Sequence, residues 1–351
     1  MQMRESIVLF IAFACVLGPW SPLLAARENG TWTRKASMPI AFEGLSLGVI
    51  GGKIYALGGG ERSAGGEEMP SSAQMLMYDP ITNAWQRRAS LPRSLSHVGV
   101  TVLDGKLYAI GGFTGAVHLG PQALAFVYDP KTNRWSTLAS LPGVRGAVAA
   151  AAVDGKIHIF GGRNSATLVK ITPPGAPEMF EGLGVLTSHD IYDPATNKWF
   201  SGKPLPGPGR DHLGIAVLEG RIHIFGGRTG GFNELTDRHD VYDPKSDRWS
   251  SAAPLPHPRS DGAFTVLDDL IIYAGGECKP GGKAFTPNTF DEVTAYDPKT
   301  DRWKELTPLP QARHGIGAAS VGHIAYFAGG ASVCGGGTTT ELLALTLSQR
   351  P

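Results

Sequence analysis

The sequence predicts an all-β chain folded as a six-bladed β-propeller, and three periodic marks carry that prediction. Six tryptophans (Trp32, Trp85, Trp135, Trp199, Trp249 and Trp303) are each followed six and seven residues later by Leu-Pro or Met-Pro. Glycine pairs stand at Gly58-Gly59, Gly111-Gly112, Gly161-Gly162, Gly226-Gly227, Gly275-Gly276 and Gly329-Gly330. A Tyr-Asp-Pro triplet begins at Tyr78, Tyr128, Tyr192, Tyr242 and Tyr296. The repeat length of about 50 residues is that of one four-stranded propeller blade.

Each unit reads as four short strands in order. In the second unit, His97–Val102 is the first apolar run and Lys106–Ile110 the second, ending at the glycine pair. A third run ends at Tyr-Asp-Pro and a fourth carries the tryptophan. Asp104-Gly105, Asp154-Gly155 and Glu219-Gly220 supply tight turns between strands one and two, because both positions of such a turn need positive φ. Residues 129–135, Asp-Pro-Lys-Thr-Asn-Arg-Trp, form the turn into strand four, where proline presets φ and Asp and Asn bond their own backbone. The segment before Trp32 has no glycine pair, and the last unit has no tryptophan. Residues 31–38 are therefore expected to complete the last blade and close the ring, which removes its open edges. The blades fall at about 41–92, 93–142, 143–206, 207–256, 257–310 and 311–347 plus 31–38.

These residues resemble the kelch repeat family over roughly residues 31–347. The resemblance implies a kelch β-propeller whose Gly, Tyr and Trp markers are scaffold, packed where blades meet.

Composition fits one domain. Glycine is 47 of 351 residues, about double the usual ~7%, and charged residues are 18%. The formal net charge is +1, with no basic run, so no nucleic-acid partner is expected. Residues 1–26 read as a secretory signal peptide: Arg4, an apolar run from Ile7 to Leu17, then Ala25-Ala26 before Arg27. An uncleaved anchor is the alternative for that segment. The mature protein, residues 27–351, is expected in the periplasm or outside the cell, as a monomer with no stable membrane insertion. Cys278 and Cys334 follow the fifth and sixth glycine pairs, in equivalent loops of adjacent blades, and are expected to form a disulfide.

Positions repeated in most blades read as scaffold, and those that break the pattern on the loop face as candidates for binding. Arg145, Arg210, Arg259 and Arg313 all stand sixteen residues before their glycine pair, which points to a structural role or a basic rim. In some kelch domains arginines near this point line the channel mouth and bind acidic ligands, so the resemblance implies a ligand role for the same four. His97, His212 and Asp261 stand fourteen before the pair, where other blades carry Gly44, Ala147 and Gly315. These three, with His314 and Glu43 one residue earlier in their blades, are candidates for ligand contact at the channel mouth. His158 and His223 occupy a slot that is tyrosine in three other blades and read as strand residues; His189 and His239 read as a polar surface edge. The long blade-three loop, residues 163–188, is expected to fold as a flap over the loop face.

No cofactor is expected, and no His or Cys run has metal-ligand spacing. Nor is there a nucleotide-binding glycine loop or nucleophile elbow. A copper oxidase of the galactose oxidase type would need Tyr and His ligands and further domains, and neither is evident. Residues 276–283, Gly-Glu-Cys-Lys-Pro-Gly-Gly-Lys, are similar to the Gly-Glu-x-Lys-Pro-Gly-x-Arg stretch of exported six-bladed sialic-acid mutarotases. That resemblance implies catalytic roles for Glu277 and Lys283. The leading expectation is an exported propeller that binds a small-molecule, carbohydrate or protein ligand through its loop-rich face. The alternative is a carbohydrate epimerase or mutarotase.

Overall fold

A computed structural model describes residues 30–61, 71–115, 118–164, 168–170, 180–182, 184–231, 233–281 and 286–348. The segment 1–26 and Lys283 lie outside the described residues. Six antiparallel four-stranded sheets account for the fold, and no helix occurs among the described residues.

In blades one to five the four strands pair in chain order. Blade two is typical: Gly99–Leu103, Lys106–Ile110, Ala125–Asp129 and Arg134–Thr137. The turn between its first two strands has Asp104 at φ 51° and Gly105 at φ 69°, the geometry expected of a two-residue hairpin. Blade six takes three strands from the end of the chain, Gly317–Val321, Ile324–Ala328 and Leu342–Leu347, and its fourth, Gly30–Arg34, from the beginning. The register runs from Gly30 opposite Leu347 to Arg34 opposite Leu343. Ring closure by the N-terminal strand is thus present as the repeat count required. In blade three, Leu168–Lys170 pairs antiparallel with Phe180–Gly182 within the long loop; the rest of residues 165–183, and with them the flap expected of this loop, lies outside the described residues.

The core is not one mass but a set of layers between neighbouring blades. Phe42, Ile54, Leu76 and Tyr78 of blade one, for example, pack with Ala319, Tyr326, Ala328, Leu342 and Ala344 of blade six. The tryptophans latch these seams. Trp135 Nε1 donates to the Ala89 carbonyl of the preceding blade at 2.9 Å, and Trp85, Trp199 and Trp303 repeat the bond at 2.8 Å. Trp32 does the same across the closure, to Thr307 O at 3.1 Å. In blades one, two, three and five the residue two before the tryptophan adds a second stitch: in blade two Asn133 Oδ1 accepts from Ala89 N at 3.0 Å and from the Tyr128 hydroxyl at 2.7 Å. Tyrosine, asparagine or aspartate, and tryptophan at fixed offsets therefore form one device that joins these blades to their neighbours. The tryptophans remain half-buried, because the fourth strand is the outermost of each blade.

The Cys278–Cys334 disulfide is formed, with Cα atoms 5.0 Å apart, and ties the loops of blades five and six. His158 and His223 lie in strands and are buried, as their tyrosine slot implies. His189 and His239 correct the sequence reading: they are 2% and 3% exposed, not a surface edge. Each opens its third strand and bonds the histidine on the adjacent strand, His158 Nδ1 to His189 Nε2 and His223 Nδ1 to His239 Nε2, both at 2.9 Å.

Candidate functional site at the loop face

The residues fourteen before each glycine pair build the floor of the site. All six take positive φ, from 49° at His212 to 65° at Gly44. Each backbone N–H donates to the carbonyl of its counterpart in the preceding blade. The circuit runs His97 to Gly44 (3.1 Å), Ala147 to His97 (3.0 Å), His212 to Ala147 (3.3 Å), Asp261 to His212 (3.2 Å), Gly315 to Asp261 (3.0 Å) and Gly44 to Gly315 (2.9 Å). Six hydrogen bonds thus close a ring around the propeller axis. Glycine is needed at two of these positions for space as well as φ. A Cβ on Gly44 would lie 2.6 Å from the His97 ring, and one on Gly315 would lie 2.9 Å from the Glu43 carboxylate.

Above this ring stand two further sets. The residues one earlier are Glu43, Ser96, Gly146, Asp211, Ser260 and His314; those just after each glycine pair are Gly60, Phe113, Arg163, Arg228, Glu277 and Ala331. In each blade a member of the first set pairs by backbone with a member of the second, as Asp211 does with Arg228 and His314 with Ala331. Their side chains are brought into one charged cluster. Arg163 Nε donates to Asp211 Oδ2 at 2.7 Å, and Arg228 Nη1 donates to Glu277 Oε2 at 2.9 Å. Arg228 Nη2 lies 2.8 Å from His212 Nδ1. His314 Nδ1 bonds Asp261 Oδ2 and its Nε2 bonds Val333 O, each at 2.9 Å. Glu43 Oε1 stands 3.8 Å from His97 Nε2 and 4.0 Å from His314 Nδ1. Glu277 Oε1 lies 4.0 Å from the same His314 nitrogen.

Burial sets the charge states. It pushes Glu43 up to about 8, aided by the nearby Asp261 and Glu277 carboxylates and opposed by His314, so at neutral pH its carboxyl keeps its proton in most molecules. Burial alone would lower His314. The Asp261 hydrogen bond and the carboxylates of Glu277, Asp261 and Glu43 outweigh it and hold His314 at about 10, as a cation. Burial pushes His97 down to about 3, with His212 and Arg228 adding to the effect, so this imidazole is neutral. A protonated carboxyl, a neutral imidazole and an imidazolium–carboxylate pair therefore share one small volume, the arrangement that divides acid and base roles.

The side chains of Glu43, His97 and Asp261 retain 10–12% exposure, while Asp211, Arg163 and Arg228 are at 0%. The accessible edge of the cluster is thus Glu43, His97 and Asp261, backed by sealed ion pairs. Two surface clefts lie elsewhere: one is formed by Lys106, Val127 and Arg134 on the flank of blade two, the other by His223, Ser250 and Tyr296 between blades four and five.

Of the residues singled out from sequence, His97, His212, Asp261, His314, Glu43 and Glu277 converge here. Arg145, Arg210, Arg259 and Arg313 do not. They are 0–2% exposed and turn into the blades. Arg145 pairs with Asp190, Arg210 with Asp240 and Arg313 with Glu341. Arg259 donates to Thr294 Oγ1 at 2.7 Å and to Glu292 O at 2.8 Å. Their carbonyls accept from the second glycine of the preceding blade's pair, as Arg210 O does from Gly162 N at 2.9 Å. This geometry is that of scaffold. Sequence reasoning passed over Arg163, Arg228, Asp211 and His118. The first two stand directly after a glycine pair, at a position that differs in almost every blade.

A family model described as the KLHDC2/KLHL20/DRC7 Kelch-repeats domain matches residues 140–330, and the Kelch motif matches residues 42–92 and 94–142. Kelch-like protein terF of Aspergillus terreus is 30% identical over 294 residues, 83% of this chain and 50% of that protein. Kelch-like protein 34 of Homo sapiens is 28% identical over 313 residues, 86% of this chain and 37% of that protein. The chain thus spans half or less of the length of these relatives. The solved structure of YjhT superposes with a TM-score of 0.69 at 17% identity, covering 90% of this chain and 99% of that one, a likeness of fold.

Proposed function

The chain belongs to the kelch-repeat β-propeller family, and on that footing we propose that it is an exported binding protein that takes a small polar ligand, a carbohydrate or sugar acid, at the axial end of its loop face. Kelch propellers generally serve as binding scaffolds for protein partners, and the same face is open to that use. One observation favours a small polar ligand. The side chains that break the sixfold pattern converge on the axis as charged and hydrogen-bonding groups, and those of Glu43, His97 and Asp261 keep 10–12% exposure. A compact set of donors and acceptors of both signs fits a polyhydroxylated molecule better than a flat apolar surface would. The formed disulfide supports export, since such bonds persist in oxidising compartments.

A second reading, mutarotase or epimerase activity on such a sugar, is favoured by the place of Glu277. It belongs to the mutarotase-like stretch and lies inside the axial cluster, 2.9 Å from Arg228 and 4.0 Å from His314. Anomer exchange requires a proton to leave the anomeric hydroxyl and another to reach the ring oxygen. Neighbouring carboxyl and imidazole groups can serve both transfers.

The test is a calorimetric screen of neutral sugars and sugar acids against residues 27–351, with anomer-exchange NMR on each hit. Binding without exchange supports the binding protein. Exchange that vanishes in Glu277→Gln supports the mutarotase. Failure of every polar small molecule to bind overturns both and leaves a protein partner.

A further inference from the structure

The sequence shows no run of histidines at metal-ligand spacing, but the fold assembles one from three separated positions. His97 and His118 come from blade two, His212 from blade four, and one ring nitrogen of each lies within 4.8 Å of the other two. We propose that His97, His118 and His212 form a binding site for one divalent transition-metal ion of the zinc type. This site does not depend on the ligand reading above.

The geometry is close to a coordination sphere. Nε2 of His118 and Nε2 of His212 are 3.1 Å apart, and two nitrogens bound to a tetrahedral zinc are separated by about 3.3 Å. The three rings meet edge to face, with centroids 4.7, 4.8 and 5.2 Å apart, so a small rotation brings the third nitrogen into range. Outer groups orient the ligands. Asp211 Oδ2 lies 3.0 Å from His212 Nδ1, the carboxylate–imidazole arrangement that leaves the other nitrogen to the metal. Glu43 faces His97 Nε2 at 3.8 Å, and the buried His97 Nδ1 has no hydrogen-bond partner among the described residues. With its proton toward Glu43, His97 offers that free lone pair.

The charge on Arg228 stands against a cation here, since its Nη2 is 2.8 Å from His212 Nδ1 and 3.3 Å from Nε2, the nitrogen offered to the metal. That charge is already met by Glu277 at 2.9 Å and by Asp211 at 3.4 Å. When metal takes His212 Nε2, the Nδ1 proton turns to Asp211 while Arg228 keeps Glu277. The form of His97 and His118 that binds metal is the neutral imidazole. The other acid–histidine group, Glu43, Asp261 and His314, is a poorer candidate, because both His314 nitrogens already bond Asp261 and Val333. Three imidazoles without a thiolate suit zinc, cobalt, nickel or copper rather than calcium or magnesium. His97 keeps 12% exposure, which leaves a coordination position facing the loop side.

The test uses tag-free, chelator-treated residues 27–351 titrated with Co2+, followed by absorption, with Zn2+ competition by calorimetry. One equivalent should bind with a tetrahedral Co2+ spectrum. His118→Ala, on a loop outside the sheets, and His97→Ala should each weaken affinity by about 100-fold or more. His257→Ala, at an exposed histidine, should leave it unchanged. Absence of the spectrum, or affinity unaltered in both site variants, overturns the proposal.

Discussion

Trp32→Ala should lower the stability of the propeller by about 3 kcal/mol, because this side chain fastens the two ends of the chain. A fully buried Trp or Phe truncated to alanine costs about 3–5 kcal/mol. Trp32 is half-buried, so about 2 kcal/mol of that applies. Its indole N–H also donates to Thr307 O at 3.1 Å, and a net hydrogen bond contributes about 1 kcal/mol. The edge contact with Phe327, centroids 5.1 Å apart, adds a few tenths or more. The assay is urea unfolding followed by far-UV circular dichroism, with Arg34→Ala as the control on the same strand. The Arg34 side chain is 77% exposed, and its surface pair with Glu341 should be worth less than about 1 kcal/mol. Equal midpoints for Trp32→Ala and the native protein would refute the view that the N-terminal strand closes the ring.

Three other outcomes are expected. Replacing both Cys278 and Cys334 by serine, 56 positions apart, should cost about 4 kcal/mol in the loop-entropy model, and thiol titration of the oxidised, unfolded residues 27–351 should find no free thiol. Arg210→Met strips Asp240 of a buried partner; with Arg238 still 2.7 Å from that carboxylate, the loss should be about 3 kcal/mol. Ligand affinity should not change, and weakened binding at intact stability would return Arg210 to the binding surface. Acid should destabilise the fold through the two blade histidine pairs. Burial holds His158, His189 and His239 at about 4 and His223 at about 3, below their unfolded value near 6.5. Their contribution is complete above about pH 6.5 and is lost as pH falls toward 4, by up to about 1.4 kcal/mol per pH unit for each histidine. His158→Tyr with His223→Tyr should flatten that limb in pH-dependent urea midpoints, and an unchanged slope would contradict the assignment.

The fold was legible because its markers repeat. Glycine pairs, Tyr-Asp-Pro and tryptophan recur at fixed offsets, and the misplaced tryptophan of Trp32 disclosed the closure. Repetition also located the floor of the site, since His97, His212 and Asp261 interrupt a position that is otherwise small. The same test applied to the residue after each glycine pair would have found Arg163 and Arg228. His118 could not be found in that way, because it sits in a loop with no counterpart at a fixed offset. The buried pairing of His189 and His239 depends on strand register, Phe160 opposite His189 and Phe225 opposite His239, which places each beside a histidine two positions from the phenylalanine. Nor does period alone separate a basic rim from buried staples: Arg145, Arg210, Arg259 and Arg313 turn inward because acids or carbonyls await them inside the blades.

The ten histidines provide the most direct test of the proposed axial site. His97, His118, His212 and His314 lie in the cluster; His158, His189, His223 and His239 lie within blades; His257 and His323 are exposed. Side-chain 15N NMR of all ten, recorded while a panel of sugar acids is titrated into residues 27–351, reads every location at once. The account predicts that a bound sugar acid shifts the four axial histidines, His97 most, and leaves the other six unmoved. Shifts confined to the blade or surface histidines, or no shift with any member of the panel, would contradict it.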